Sequence, residues 1–318
     1  MSVTRVQSKA ARSTAEASGG RYSVTLDSAP TEGQLIVVTL TNRRDGDADS
    51  VTISGFTKIY ERIVSPDNSS YRRSIAQFYK VAGASEATTI TSSDWFDTRN
   101  DGLILAEVFD GGSAWALETS VTNDNGQVST TISSFASGTT GSLSAVEKLL
   151  IGHLSSRDPT TYGNLSFNTL GSVLQFGGSG GLNVAAANAF AEDDTSGTKS
   201  FTASFDSVAQ TGTTAGLTVF TYTAQTRKIT ITDLKAPNDS NEQVANATGV
   251  QVKLWIDKED TGAPDVLVTD ATITGGTMEV TFNSSATVGD PVLGVAKWTA
   301  TGDDYFFPID TTVEEDGT

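Results

Sequence analysis

At 318 residues the chain is long enough for two or three domains with proper cores; 37% of it is apolar and its formal net charge is −17. So acidic a surface repels phosphate backbones, which removes nucleic acid from the expected partners. There is no cysteine, which excludes disulfides, thiolate metal sites and cysteine nucleophiles, and no apolar run approaches the length of a membrane span.

Residues 1–20 are polar and small, and lack the apolar stretch of a secretion signal. Arg5, Lys9, Arg12 and Arg21 against Glu16 give this end about +3 by simple charge count. It is expected to be a flexible arm that either frays or orders on a neighbouring subunit. Strands then follow in quick succession. Tyr22 to Leu26 alternates apolar and polar residues, and Pro30-Thr31-Glu32-Gly33 is a turn. The β-branched stretch 34–41 reads as central, followed by a charged loop at 43–50 and strands at 51–53, 58–64, 73–81 and 88–91.

The stretch Gly102-Leu-Ile-Leu-Ala-Glu-Val-Phe-Asp-Gly-Gly112 organises the rest. Turn residues bound eight positions. When extended, Leu103, Leu105, Glu107 and Phe109 point one way and Ile104, Ala106 and Val108 the other. Both faces are largely apolar, so a central strand covered on both sides is expected. Further strands are expected at 114–121, 127–133, 148–154, 165–169, 172–176 and 217–224, with a turn at Asn123-Asp124-Asn125-Gly126 and a Gly-rich break at 177–181. Residues 182–192 are Ala-rich, and propensity alone would allow a helix. Their neighbours are strands, so they are read as a strand that pairs with 199–205 across the turn at 193–197. About a dozen strands in this region suit a two-sheet, jelly-roll-like β-sandwich over 21–225.

Residues 226–318 read as a smaller immunoglobulin-like β-sandwich, with strands at 228–233, 249–257, 266–269, 271–273, 277–282, 292–299 and 305–309. Trp255 falls mid-strand, as a core tryptophan would. Six Lys/Arg against sixteen Asp/Glu give this part −10, and fifteen against twenty-two give the first 225 residues −7. The whole chain is therefore expected to be all-β, with its more acidic part facing solvent.

Residues that could carry chemistry are few. His153, the single histidine, is not accompanied by a nucleophile elbow or a phosphate-cradling loop, so a structural or surface role is expected. Glu107 stands among apolar residues and requires a partner, for which Arg72 or Arg73 is a candidate; a glycosidase would need a second converging carboxyl. Asp45, Asp47 and Asp49 alternate, but Ser50 and Phe56 occupy the Gly and Glu positions of an EF-hand, leaving only an irregular Ca²⁺ loop as the metal reading. Asp257, Glu259 and Asp260, and Asp303 with Asp304, are weaker clusters of the same kind. Of the aromatics Tyr60, Tyr71, Tyr79, Trp95, Trp115, Trp298 and Tyr305, only Tyr71 and Trp95 adjoin loops and are candidates for exposed contacts, such as sugar stacking. No catalytic, cofactor-binding or metal residue is assigned, and no cofactor is expected.

Several stretches taken together carry a resemblance: Ala29-Pro-Thr-Glu-Gly-Gln-Leu-Ile-Val-Val38, Ile53-Ser-Gly-Phe56, Ser74-Ile-Ala-Gln-Phe-Tyr-Lys80, Ala106-Glu-Val-Phe-Asp-Gly111, Lys148-Leu-Leu-Ile151 and Thr218-Val-Phe220. Over about residues 3–224 the chain resembles a β-sandwich module common in structural proteins of tailed phages. Residues 226–318 resemble the extra immunoglobulin-like domains that phages display, which hold weakly to cell-surface glycans. The resemblance implies a non-enzymatic virion protein, a capsid decoration or adhesion-like projection present in many copies, whose partners are other virion proteins. The alternative is a tail-tip or tail-fibre protein that binds host surface glycan. Such a protein is made in the host cytoplasm without an export signal, in keeping with the first twenty residues.

Overall fold

The computed structural model describes residues 3–13, 21–44, 50–64, 72–95, 102–124, 130–156, 166–167, 172–176, 185–210, 213–224, 226–232, 246–256, 264, 266–283, 289, 291–300 and 303–315. Among them every regular element is a strand, paired antiparallel, and the chain is all-β. It forms two compact units, Val3–Thr223 and Ala224–Thr318.

The larger unit begins with β1 (Thr4–Ser13), β2 (Ser23–Thr25), β3 (Leu35–Arg44), β4 (Thr57–Val64), β5 (Arg72–Val81), β6 (Thr89–Thr91), β7 (Gly102–Asp110) and β8 (Gly112–Asp124). It continues with β9 (Thr130–Thr139), β10 (Lys148–Ser156), β11 (Ser166–Phe167), β12 (Ser172–Phe176), β13 (Ala185–Asp193), β14 (Ser200–Gln210) and β15 (Thr214–Ala224). Two five-stranded sheets form its heart, one in the order β1-β7-β3-β5-β4 and the other β12-β13-β10-β15-β8. They meet through a shared cluster in which Leu35, Val37 and Phe109 of the first sheet pack on Leu149, Ile151 and Phe220 of the second.

Each of these sheets is also covered on its far side. The ribbon β2-β6 brings Val24 and Ile90 onto Ile36, Val38, Ile104, Ala106 and Val108 of the first sheet. A three-stranded sheet, β11-β14-β9, brings Phe201 and Ala203 onto Leu150, Leu154, Ala189, Leu217 and Val219 of the second. The expected two-sheet core thus lies between two thinner outer layers. The alternation expected of β7 is met: residues 102–109 are all buried, with Phe109 in the inter-sheet cluster and Ile104, Ala106 and Val108 under the ribbon. Fully apolar strands of this kind form where both faces are shielded.

Two expectations for this unit are corrected. The first twenty residues are not simply an arm, because Thr4–Ser13 is the edge strand β1, in register with β7 from Thr4 opposite Asp110 to Ser13 opposite Gly102. Alternation of small and polar residues hid a strand whose inner edge is held by main-chain bonds. The Ala-rich β13 is a strand, but it does not pair with β14. It lies between β10 and β12, and β14 crosses to the outer layer to pair with β9, where Phe201 seats in the core.

The smaller unit holds β16 (Thr226–Ile231), β17 (Asn246–Ile256), β18 (Val266–Thr274), β19 (Thr277–Asn283), β20 (Pro291–Ala300), β21 (Asp303–Thr312) and β22 (Glu314–Glu315). They form one antiparallel ladder in the order β21-β20-β17-β18-β19-β16-β22. A single core drawing on β16 to β21 requires the ladder to fold over itself: Ile229, Val252, Leu254, Ile273, Val280, Ala296 and Ile309 all belong to it. The two short strands expected at 266–269 and 271–273 are one strand, β18, irregular in register opposite Val250. Trp255 is not a core residue. Val250, Val252, Leu254 and Ile256 face inward, so the alternation puts Trp255 on the outer face, half-buried.

Close approach fixes one glycine in the larger unit. A Cβ at Gly102 would lie 2.0 Å from the hydroxyl of Tyr22, whose ring is fully buried edge-on against Trp95. Gly102→Ala is therefore expected to destabilise the larger unit by about 1–3 kcal/mol, as overpacked cores do, read as a lower urea midpoint.

Candidate functional site

The side chains with most chemical capacity converge between the two five-stranded sheets. Strand alternation aims Thr39 and Thr41 of β3, Gln77 of β5 and Glu107 of β7 at Asn188 of β13, His153 and Ser155 of β10 and Thr218 of β15. All eight are buried. Glu107, Asn188, Thr39, Gln77 and Thr218 form a chain of hydrogen bonds. Arg5 Nη1 donates to Glu107 Oε1 at 2.8 Å, and Asn188 Nδ2 donates to Glu107 Oε2 at 2.8 Å and to Thr39 Oγ1 at 3.4 Å. Gln77 Nε2 donates to Thr39 Oγ1 at 3.1 Å, and Thr218 Oγ1 donates to Gln77 Oε1. Thr41 and Ser155 share a hydroxyl bond of 2.7 Å across the same gap.

Glu107 is completely buried, and burial raises its pKa above the ordinary carboxylate value against the lowering influence of Asn188 and Arg5. Its cation is Arg5; the side chains of the candidates Arg72 and Arg73 lie outside the described residues. That guanidinium comes from β1, directly beside β7, and lies 5.2 Å from the centre of the Phe190 ring. The start of β1 also reaches the second sheet, where the Val3 amide donates to Glu192 of β13; Tyr222 Oη donates to the same carboxylate oxygen at 2.8 Å.

His153 sits inside β10, not at a strand end, and is completely buried. Its ring stacks on Tyr60 of β4 with centroids 5.4 Å apart. Burial holds the Tyr60 phenol well above its ordinary pKa, so the hydroxyl keeps its proton, and it shares a hydrogen bond of 2.7 Å with His153 Nδ1. Burial likewise lowers the imidazole to about 3, so the ring is neutral at pH 7. Gly216 of β15 leaves room for it: a Cβ there would lie 2.0 Å from His153 Cε1. Lys148, also fully buried, donates to the main-chain oxygens of Ser144 at 2.6 Å and of Val146. Glu107, His153 and Lys148 are completely buried, and their bonds fix the register and alignment of the strands around them.

The other sequence candidates divide. Trp95, a candidate for exposed contact, is 1% accessible, and its indole Nε1 donates to Glu61 Oε1 at 3.1 Å. A buried ring beside a loop gives no outward sign in the sequence. Trp115 is buried, Tyr79 is half-buried, and Trp298 packs against the core of the smaller unit. Asp45, Asp47, Asp49, Tyr71, Asp257, Glu259 and Asp260 lie outside the described residues, as do the side chains of Arg72, Arg73, Asp303, Asp304 and Tyr305. Among the described residues no three His, Asp or Glu side chains are grouped to hold a metal ion.

Openings to solvent occur in the smaller unit. β18 and β19 pair only at Ile273–Met278 and Thr274–Thr277, beside their connecting turn, and then part. The groove between them, about 600 Å³, is lined by Asp270, Thr272, Thr274, Thr277, Glu279 and Thr281 over Val268, Ala271 and Val280. The second feature is the outer face of β18-β17-β20-β21, read from its register. Leu267, Lys253, Val295 and Pro308 form one row across the strands. Trp255, Leu293 and Asp310 form the next, and Gln251, Lys297 and Phe306 a third. Leu267 is 59% exposed, Phe306 55% and Leu293 38%. Sequence reading took this stretch as strands of a sandwich; the signal it passed over is that Leu293, Val295, Phe306 and Pro308 fall in the alternating sets opposite those that fill the core.

Neither family models, nor curated protein sequences, nor solved structures yield a match to this chain.

Two outcomes follow from the buried layer. Arg5→Ala leaves Glu107 with Asn188 alone; because Arg5 is itself partly exposed, the expected cost is roughly 2–3 kcal/mol at neutral pH. A raised carboxyl pKa favours the folded state at low pH and that benefit is lost as pH rises through the folded value, so the Arg5→Ala defect should shrink on acidification. Glu107→Gln in the same chain should recover part of it in urea titrations. His153 has the opposite sign. Its folded pKa is depressed, so its contribution is complete above about 6.5 and lost as pH falls toward about 3. At about 1.4 kcal/mol per tenfold change in proton affinity this approaches roughly 4–5 kcal/mol. His153→Gln should flatten the fall in unfolding midpoint between neutral and acid pH.

Proposed function

We propose that this chain is a non-catalytic structural protein of a tailed-phage particle, a capsid decoration or adhesion-like projection that works through its surfaces. The observation that carries this reading is the contrast between the two units. In the larger one Glu107, His153 and Lys148 are completely buried and spent on internal bonds. In the smaller one an apolar and aromatic sheet face is turned to solvent. Exposed apolar patches of this kind mark interaction surfaces in soluble proteins. The larger, layered unit suits a rigid body anchored to other virion proteins, and the smaller acidic unit, read as immunoglobulin-like, suits outward display. Many copies on one particle gain avidity from contacts that are individually weak.

The groove between β18 and β19 favours a second reading, a receptor-binding protein that holds a host surface glycan. Threonine hydroxyls and the Asp270 and Glu279 carboxylates offer the hydrogen-bonding groups that a polyol takes up.

Mass spectrometry of separated heads and tails tests the first reading. The chain is expected in the head fraction in many copies, and its absence from the particle would overturn the assignment. Glycan-array binding that disappears in a Thr272→Val, Thr277→Val double variant would move it to the second. Release of reducing sugar from host envelope, abolished by Glu107→Gln, would replace both with an enzyme.

A further inference from the structure

We infer that the outer face of β18-β17-β20-β21 is a self-association surface whose occupant is the same face of a second copy of this chain. Three of the six large apolar side chains left exposed among the described residues, Leu267, Leu293 and Phe306, lie on this one face. The register sets Leu293 beside Trp255 and puts Val295 next to Pro308, so apolar side chains adjoin across β17, β20 and β21, with Leu267 of β18 beyond Lys253.

Charge selects the occupant. Two copies of a chain carrying −17 repel one another over most of their surfaces. This face departs from that balance: its three rows hold Lys253 and Lys297 with Asp310, and Asp304 takes the next register position of β21 on the same side, so the two signs are matched. Two copies can therefore approach here without the like-charge cost they meet elsewhere. Because the face carries both signs, a twofold arrangement is self-complementary: apolar rows meet, and the lysines of one copy come within reach of the other's Asp310. Lys297 is already drawn over apolar surface, 5.9 Å from the centre of the Phe306 ring, where its stem extends the patch.

Area sets the strength. Four strands about 4.8 Å apart and three alternate residues about 6.8 Å apart span roughly 14 by 14 Å between outermost positions. That is well short of the ~800 Å² per partner of a stable complex. The contact is accordingly weak, with a dissociation constant on the order of 10⁻⁴ M. It becomes effective where copies are already held close together. The inference concerns the isolated chain, so it stands or falls separately from the assignment to a particle.

Sedimentation equilibrium of the purified full chain, from low-micromolar to sub-millimolar concentration, tests it. The expected result is a monomer–dimer equilibrium weakened at least about tenfold by Leu293→Asp and, independently, by Phe306→Ser. Val146→Asp, at an exposed apolar residue of the other unit, should leave it unchanged. Lys253→Glu should also weaken it, and this charge reversal on the outer face removes no apolar side chain. Unfolding midpoints accompany each variant, and only those that keep the parent midpoint are scored. A monomer at every concentration overturns the inference, as does a dimer indifferent to Leu293→Asp, Phe306→Ser and Lys253→Glu, or one disrupted equally by Val146→Asp.

Discussion

A sheet covered on both faces leaves its polar side chains nowhere to turn for water, and the larger unit is arranged around that constraint. β3 and β7 have a packed layer on each side, so any carboxylate, amide or hydroxyl pointing inward has to find its partner in the facing sheet. Glu107, Thr39 and Gln77 do so by reaching Asn188 and Thr218, and the carboxylate draws its cation from the strand beside it. Hydrophobic burial supplies cohesion between the sheets without specifying how one lies over the other. The polar layer supplies that specification: sliding either sheet by one residue would strand every member of it.

The same constraint accounts for the distribution of chemistry in the molecule. A neutral imidazole stacked on a neutral phenol, and an ammonium capped by two carbonyls, are what buried ionisable groups become when their role is alignment. The smaller unit follows a different economy of surface. Its core takes one set of alternating residues from β17, β20 and β21, and the opposite set faces outward with Trp255, Leu293, Val295, Phe306 and Pro308 among Gln251, Lys253, Lys297 and Asp310.

How much of this was legible in the sequence depended on whether the signal was local. Gly102 to Gly112 declared a doubly covered strand, because alternation with apolar residues in both sets is a one-dimensional pattern, and the structure places its two faces as read. The Ala-rich 182–192 region reads as extended only from its strand neighbours, and Ala185–Asp193 within it is β13. Pairing was another matter. That β13 avoids its neighbour β14 and lies against β10 is decided by which outer layer Phe201 enters, a choice made far along the chain. Arg5 as the partner of Glu107, and Asn188 as its amide donor, were out of reach because each needs the register of strands about a hundred residues apart. Trp255 shows the converse error. Mid-strand position was taken to mean burial, whereas the phase of Val252 and Leu254 puts it on the other side.

Strand β1 has a consequence for how the molecule is made. It precedes its partners along the chain: its cation meets Glu107 at a separation of 102 residues, and the amide of Val3 just before it meets Glu192 at 189. The inter-sheet layer is not complete until Thr218 arrives, 141 residues after Gln77. Contacts this distant along the chain make for slow folding, because long loops must close before the contacts that hold them exist. For most of synthesis the nascent larger unit therefore carries open sheet edges and an unanswered charge. Such a chain is most exposed to misassembly with its neighbours before it is whole.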